Sequence, residues 1–242
     1  MTGVRRIAAV AVIAAIALTA ILALFAAVRG RPQDLPWTPL DLGQPTGLFT
    51  GRKLAGLTRD FPRCRALLDK AGVNYTLMPV VHAGRCGYAD GVRFAPGGAR
   101  RTAYAPATTG TSCPVAAALS VWEWNVVQPA ARRYFGQRVA SINHLGSYNC
   151  RNIYNRPTGP LSEHATADAI DIAGFTLEDG TKVTILGDWA DTGDKGTFLR
   201  SVRNGACGLF STTLSPEYNA AHRDHLHLDQ AERGAMSWRT CR

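Results

Sequence analysis

The chain is short of the features that assign function at a glance. Its 242 residues contain no internal repeat and no large low-complexity tract, which excludes a solenoid and a long disordered arm. No long basic run occurs, although the formal net charge is +9. Residues 1–58 carry six Lys/Arg against two Asp/Glu, and residues 59–242 carry 21 against 16. An excess spread this thinly gives nucleic-acid binding little support. It suits an anionic surface such as lipid headgroups or a cell wall polymer. No Gly-x-Ser-x-Gly elbow surrounds Ser162, which argues against a serine nucleophile of that kind. Cys-x-x-Cys pairs are also missing, although there are six cysteines.

What is present begins with one apolar run. After Arg5 and Arg6, residues 7–28 are uncharged and mostly apolar. At the helical rise they span roughly 33 Å, enough to cross a bilayer core. The Ala-x-Ala patterns lie inside this run and none closes it, so it reads as an uncleaved signal anchor in preference to a long cleaved signal. Cys64, Cys86, Cys113, Cys150, Cys207 and Cys241 all lie beyond it. An even number of dispersed cysteines after an export signal predicts three disulfides in an oxidising compartment, with the pairing left open. The organisation expected is therefore a cytosolic N-terminus (1–6), a transmembrane anchor (7–28), a Pro- and Gly-punctuated linker (29–57) and one exported domain (58–242).

Within that domain a short helix is expected over residues 58–72, with Gly72 as its stop, and a strand over 73–81. A longer helix starts at Ser112 and Pro114 and runs to Gly136, with Pro129 expected to kink or break it. The aromatics Trp122, Trp124, Tyr134 and Phe135 on it read as packing. A strand over 138–146 is followed by a loop over 147–161. Residues 169–177 and 181–189 form a hairpin about the turn "EDG", and a helix follows near 197–205. Early helices and local strand pairing predict an α+β fold: a small antiparallel sheet with flanking helices, stabilised by disulfides.

Two stretches carry chemistry. In "SEHATADAIDI" (162–172), Ile170 and Ile172 alternate with Asp171, and His164 lies on the loop before them. In "HLHLD" (225–229), the two-residue period puts His225, His227 and Asp229 on one face and Leu226 and Leu228 on the other. Each stretch is thus a strand seated by aliphatics that presents metal-capable groups on its opposite face. Two histidines and one carboxylate suit Zn²⁺ with a fourth position open, the arrangement of a catalytic site. Asp224 is the natural proton acceptor, and Asp229 is placed to support a ligand histidine from behind. Asp168 and Glu163 read as solvated, Ser162 as orienting a ligand or capping a turn, and His82 and His144 as core or surface residues.

These residues resemble a known signature. Ser162, His164, Ala167, Ala169 and Asp171, followed by His222, Asp224 and His227, are similar to the pattern Ser-x-His-x-x-Gly-x-Ala-x-Asp … His-x-Asp-x-x-His of zinc D-Ala-D-Ala carboxypeptidases and related peptidoglycan endopeptidases. The departure is Ala167, where that pattern has glycine. The resemblance implies a metallopeptidase-like fold, zinc ligands His164, Asp171 and His227, Asp224 as general base and His222 at the oxyanion, with His225 assisting catalysis. More broadly, "GSYNCR", "SEHATADAIDI", a "GDW" after the hairpin and "LSPEYNAAHRDHLHLD" make residues 58–242 resemble the bacterial extensin-like C-terminal domain family. The chain has none of the Pro-rich repeats of true extensins. Anchor, cysteines and signature together lead to the expectation of a single-pass inner-membrane protein whose periplasmic domain is a zinc peptidase for peptidoglycan peptides. The alternative is a non-catalytic module that binds the cell wall or an envelope protein.

Overall fold

A computed structural model describes residues 2–233 and 239–242. Helix α1 (Thr2–Arg29) contains the apolar run and is long and apolar enough to cross a membrane. Short helix α2 (Thr50–Ala55) precedes α3 (Phe61–Lys70), whose first turn is closed by the Asp60 carboxylate accepting from Arg63 N at 3.1 Å. Strands β1 (Val73–Leu77), β2 (Val81–Ala83), β3 (Cys86–Tyr88), β4 (Gly91–Gly98), β5 (Ala103–Ala105) and β6 (Thr111–Ser112) follow. Helix α4 (Cys113–Trp122) passes through a π turn (Glu123–Val127) into α5 (Gln128–Phe135). The π turn lies where the ring of Pro129 would collide with the carbonyl four residues back, so the strain expected at this proline is absorbed there instead of breaking the helix. The remaining elements are β7 (Val139–Gly146), β8 (Ala169–Leu177), β9 (Lys182–Thr184), α6 (Ile185–Asp188), α7 (Asp194–Cys207), β10 (Thr212–Leu214), β11 (Leu226–Asp229) and β12 (Thr240–Cys241).

The fold is α+β, but the sheet is larger than expected and is not wholly antiparallel. Seven strands run in the order β12-β10-β11-β8-β7-β5, with β9 added to β8, and three- and two-stranded sheets stand beside them. The pairs β5·β7 and β10·β12 are parallel. Those edge strands are two or three residues long, too short to show an alternation in sequence.

The core lies between this sheet and α4, α5 and α7. Trp122 is buried against Phe175, and its indole N–H donates to Val202 O at 2.9 Å. The aromatic cluster on this helix is therefore packing, as its sequence suggests. The cysteines pair as Cys64–Cys113, Cys86–Cys150 and Cys207–Cys241. The segment expected as a linker, 29–57, is instead folded onto the domain. Leu40, Leu42, Leu54 and Leu57 are all at most 3% exposed, and Phe49 N donates to Gln33 O at 3.1 Å. Only the first residues after α1 remain as a tether.

Candidate metal centre

Strand β8 and strand β11 are antiparallel neighbours, and their register sets His227 directly opposite Asp171. Leu226 faces Ile172 and Leu228 faces Ile170 in the same ladder. All four aliphatics are at most 1% exposed, and each contributes roughly 1.5–3 kcal/mol by burial. A one-residue slip of β11 would turn Leu226 and Leu228 to solvent and His227 into the core, so the core fixes the site's register. His164 arrives from a 3₁₀ turn (Glu163–Thr166) just before β8, where Ser162 Oγ caps the turn by accepting from His164 N at 3.4 Å.

Ligand-capable atoms of His164, Asp171 and His227 all lie within 4.8 Å of one another. His164 Nε2 is 3.2 Å from His227 Nδ1 and 3.2 Å from Asp171 Oδ2, and His227 Nδ1 is 3.0 Å from Asp171 Oδ1. A tetrahedral zinc with bonds of about 2.0–2.1 Å holds its ligand atoms about 3.3–3.4 Å apart. The triangle is close to that size.

The hydrogen bonds behind the rings decide which nitrogens carry protons. His164 Nδ1 donates to Ser147 O at 2.6 Å, and a carbonyl can only accept. Its Nε2 therefore points a lone pair at the centre. His227 Nε2 donates to Asp229 Oδ2 at 3.2 Å, which leaves Nδ1 as its inward atom. Two lone pairs and a carboxylate converge on one spot, an arrangement suited to holding a cation. The donor set and its backing fit zinc.

Burial opposes charge on Asp171, yet the hydrogen bonds and charges of His164 and His227 outweigh it and hold the carboxyl well below its ordinary range. Burial likewise lowers the His227 pKa, but Asp171 and Asp229 outweigh it and lift the ring to about 9. At neutral pH the metal-free ring therefore carries a proton, held between the two carboxylates.

The other sequence-selected residues border this triangle. His225 Nδ1 donates to Asp224 Oδ1 at 2.9 Å, and its Nε2 lies 3.5 Å from Asp171 Oδ1. Asp224 thus reaches the centre through His225, and that hydrogen bond holds its carboxyl below the usual range. The His222 ring is 5.2 Å from His225 and 6.0 Å from His227. Asn219 Oδ1 accepts from Ala221 N at 3.0 Å and lies 2.8 Å from His222 Nδ1, so that nitrogen carries the proton and Nε2 is left as an acceptor. Burial, then the charges of His225 and His227, push His222 down to about 4. At neutral pH it takes a hydrogen bond at Nε2 instead of giving one.

Glu163 and Asp168 stay outside the triangle but are half-buried, not solvated. Burial, then the charges of Asp229 and Asp168, raise Glu163 to about 7. His144 is buried and His82 exposed. Ala167, at the position of the signature's glycine, has φ +59° and ψ +16°. Glycine occupies that region freely, while an L-residue there costs roughly 1–2 kcal/mol. The turn is kept because Ala167 N donates to His164 O at 3.2 Å and its carbonyl accepts from Ser112 N at 2.9 Å and Ser147 Oγ at 3.2 Å.

Sequence reasoning missed Ser147 and Asn219. Ser147 acts through its carbonyl, which leaves no trace in residue type. Asn219 stands three residues before His222 as the cap of a short turn, a readable signal. Two cavities, of about 730 and 450 Å³, lie away from the triangle. The family model described as "Extensin-like protein C-terminus" matches residues 62–242. No curated protein and no solved structure matches the chain.

Proposed function

Since the chain belongs to the extensin-like C-terminal family, which suggests an envelope protein domain, we propose that it is a zinc-dependent peptidase acting on peptidoglycan peptides. Its domain would stand on the outer side of the membrane that holds α1. The observation that carries this reading is the convergence of two histidine lone pairs and a carboxylate, each histidine fixed from behind by Ser147 O or Asp229.

His164, Asp171 and His227 would hold the ion, which when bound polarises a scissile carbonyl and makes water nucleophilic at neutral pH. Asp224 and His225 work as a pair. The carboxylate fixes the ring, and His225 Nε2 faces the centre to take the attacking water's proton and return it to the leaving amine. His222, neutral at pH 7 and held by Asn219, accepts a hydrogen bond from the substrate or the water. His164 is buried, and Asp171 and His227 keep a small exposed fraction.

Metal content of the purified, oxidised chain in detergent tests the reading. About one zinc per chain is expected, lost in His164→Ala and in His227→Ala; a wild type free of metal after zinc-replete refolding defeats it. Asp224→Asn separates an enzyme from a metal-stabilised binder. It should keep zinc and stop product release from sacculi. If wild-type protein with zinc releases nothing, the domain is a wall-binding module.

A further inference from the structure

The 730 Å³ cavity lies between α2 and the chain's last residues and is lined by none of the three triangle residues. Its lining includes Arg52, Arg59, Arg233 and Arg239, all exposed, against a single carboxylate, Glu232. Glu232 pairs with Arg59. Arg233 Nη1 donates to Thr240 Oγ1 at 3.0 Å, and Arg239 Nη1 to Gly208 O at 2.9 Å. The bonds of Arg233 and Arg239 go to uncharged oxygens and orient those two guanidiniums without neutralising them. The floor is Gly51, where a Cβ would come within 2.7 Å of Arg239 Cζ and 2.3 Å of Gly208 O, so only glycine lets the arginine lie against the backbone there. Leu48 and Phe49 form an apolar side wall.

The groove's place in the molecule identifies its occupant. Helix α1 ends at Arg29, and by Pro32 the chain is already bonded to α2: Lys53 Nζ donates to Pro32 O at 3.5 Å and to Gln33 Oε1 at 3.3 Å. Three residues span at most about 10 Å. Arg52 and Arg59 on the α2 segment are therefore held beside the point where α1 leaves a bilayer. Trp37 and Leu48 of the same segment are 76% and 79% exposed. Tryptophan favours the headgroup layer, and an apolar wall beside guanidiniums suits an amphiphile better than a free anion.

We propose that this groove is a docking site for the phosphate headgroup of an anionic phospholipid, and that it seats the domain on the membrane. The proposal rests on α1 spanning the bilayer and is independent of the metal. Planar guanidiniums bind phosphate oxygens in pairs, so several arginines around one groove favour a phosphodiester with net negative charge over one whose headgroup also carries an ammonium, which they repel.

The test uses the full chain in nanodiscs of phosphatidylcholine, alone or with about one third phosphatidylglycerol. Amide exchange over residues 48–59 is compared between the two. It should slow several-fold with the anionic lipid and recover at high salt. Each arginine removed should weaken the preference roughly fivefold, so Arg52→Gln with Arg59→Gln should abolish it without changing the thermal midpoint in phosphatidylcholine. Glu232→Gln should strengthen it. Equal exchange in both lipids overturns the proposal. So does an equal slowing by inorganic phosphate added to phosphatidylcholine discs, which would mark a small-anion site. If the chain fails to enter discs at all, the anchor reading is wrong, an outcome distinct from entry without a headgroup preference.

Discussion

Asp229→Asn isolates the residue that fixes His227 without touching a ligand. Asp229 is 3% exposed; one oxygen accepts from His227 Nε2 at 3.2 Å and the other from Ala231 N at 3.0 Å. An asparagine cannot serve both. If its oxygen stays on Ala231 N, its amide N–H meets the His227 N–H, and the ring must shift its proton to Nδ1, the atom that faces the centre. If it turns over, it sets N–H against the Ala231 amide and loses that bond. Removing such a backing group typically lowers metal affinity 10–100-fold, about 1.4–2.8 kcal/mol. Zinc affinity of the full chain, measured by competition with a chromophoric chelator, should fall by that amount while the fold, followed by near-ultraviolet dichroism, persists. His227→Ala should lose zinc altogether. An Asp229→Asn affinity within twofold of wild type, in a protein that does bind zinc, would refute the argument that the carboxylate sets the tautomer.

Two further outcomes concern groups around the centre. Cys86–Cys150 closes 64 residues and ties β3 to the loop that carries Ser147, so Cys86→Ser with Cys150→Ser should lower unfolding free energy by about 4 kcal/mol on the chain-entropy view. A loss below about 1 kcal/mol in denaturant titration contradicts it. Asp90 is raised to about 6 by burial and then by the charge of Asp168. Because the folded pKa lies above the unfolded value, its contribution is full below about pH 4 and is lost as pH rises through 6. Asp90→Asn should therefore raise the thermal midpoint relative to wild type at pH 7.5 but not at pH 4, and an equal change at both contradicts the assignment.

The site was legible where one residue's neighbours in sequence fix its direction. Alternation in "AIDI" and "HLHLD" places Asp171, His227 and Asp229 because the intervening aliphatics must be buried. What alternation cannot give is which strands meet, since the pairing of His227 with Asp171 joins positions 56 residues apart. Proton placement was hidden for a similar reason, because a backbone carbonyl sets His164 and a capping asparagine sets His222. The fold's misreadings lie in irregular or very short segments. Leu40, Leu42, Leu54 and Leu57 follow no single period because they pack from turns and short helical pieces. The signature's glycine at the position of Ala167 reflects a backbone angle, φ +59°, that glycine adopts at no cost and alanine keeps under strain.

The packing of residues 33–57 onto the domain has a consequence for where it can work. A flexible linker of 29 residues would let the domain wander about 30 Å from the membrane exit. Only Gly30 and Arg31 separate α1 from Pro32, three steps of chain that span at most about 10 Å and shrink the volume searched some thirtyfold. With α1 in a bilayer, the candidate metal centre samples one shallow shell at a nearly fixed height, so whatever it meets has to come to that shell. Lengthening the tether, and nothing else, would change which layer of the envelope the site can touch.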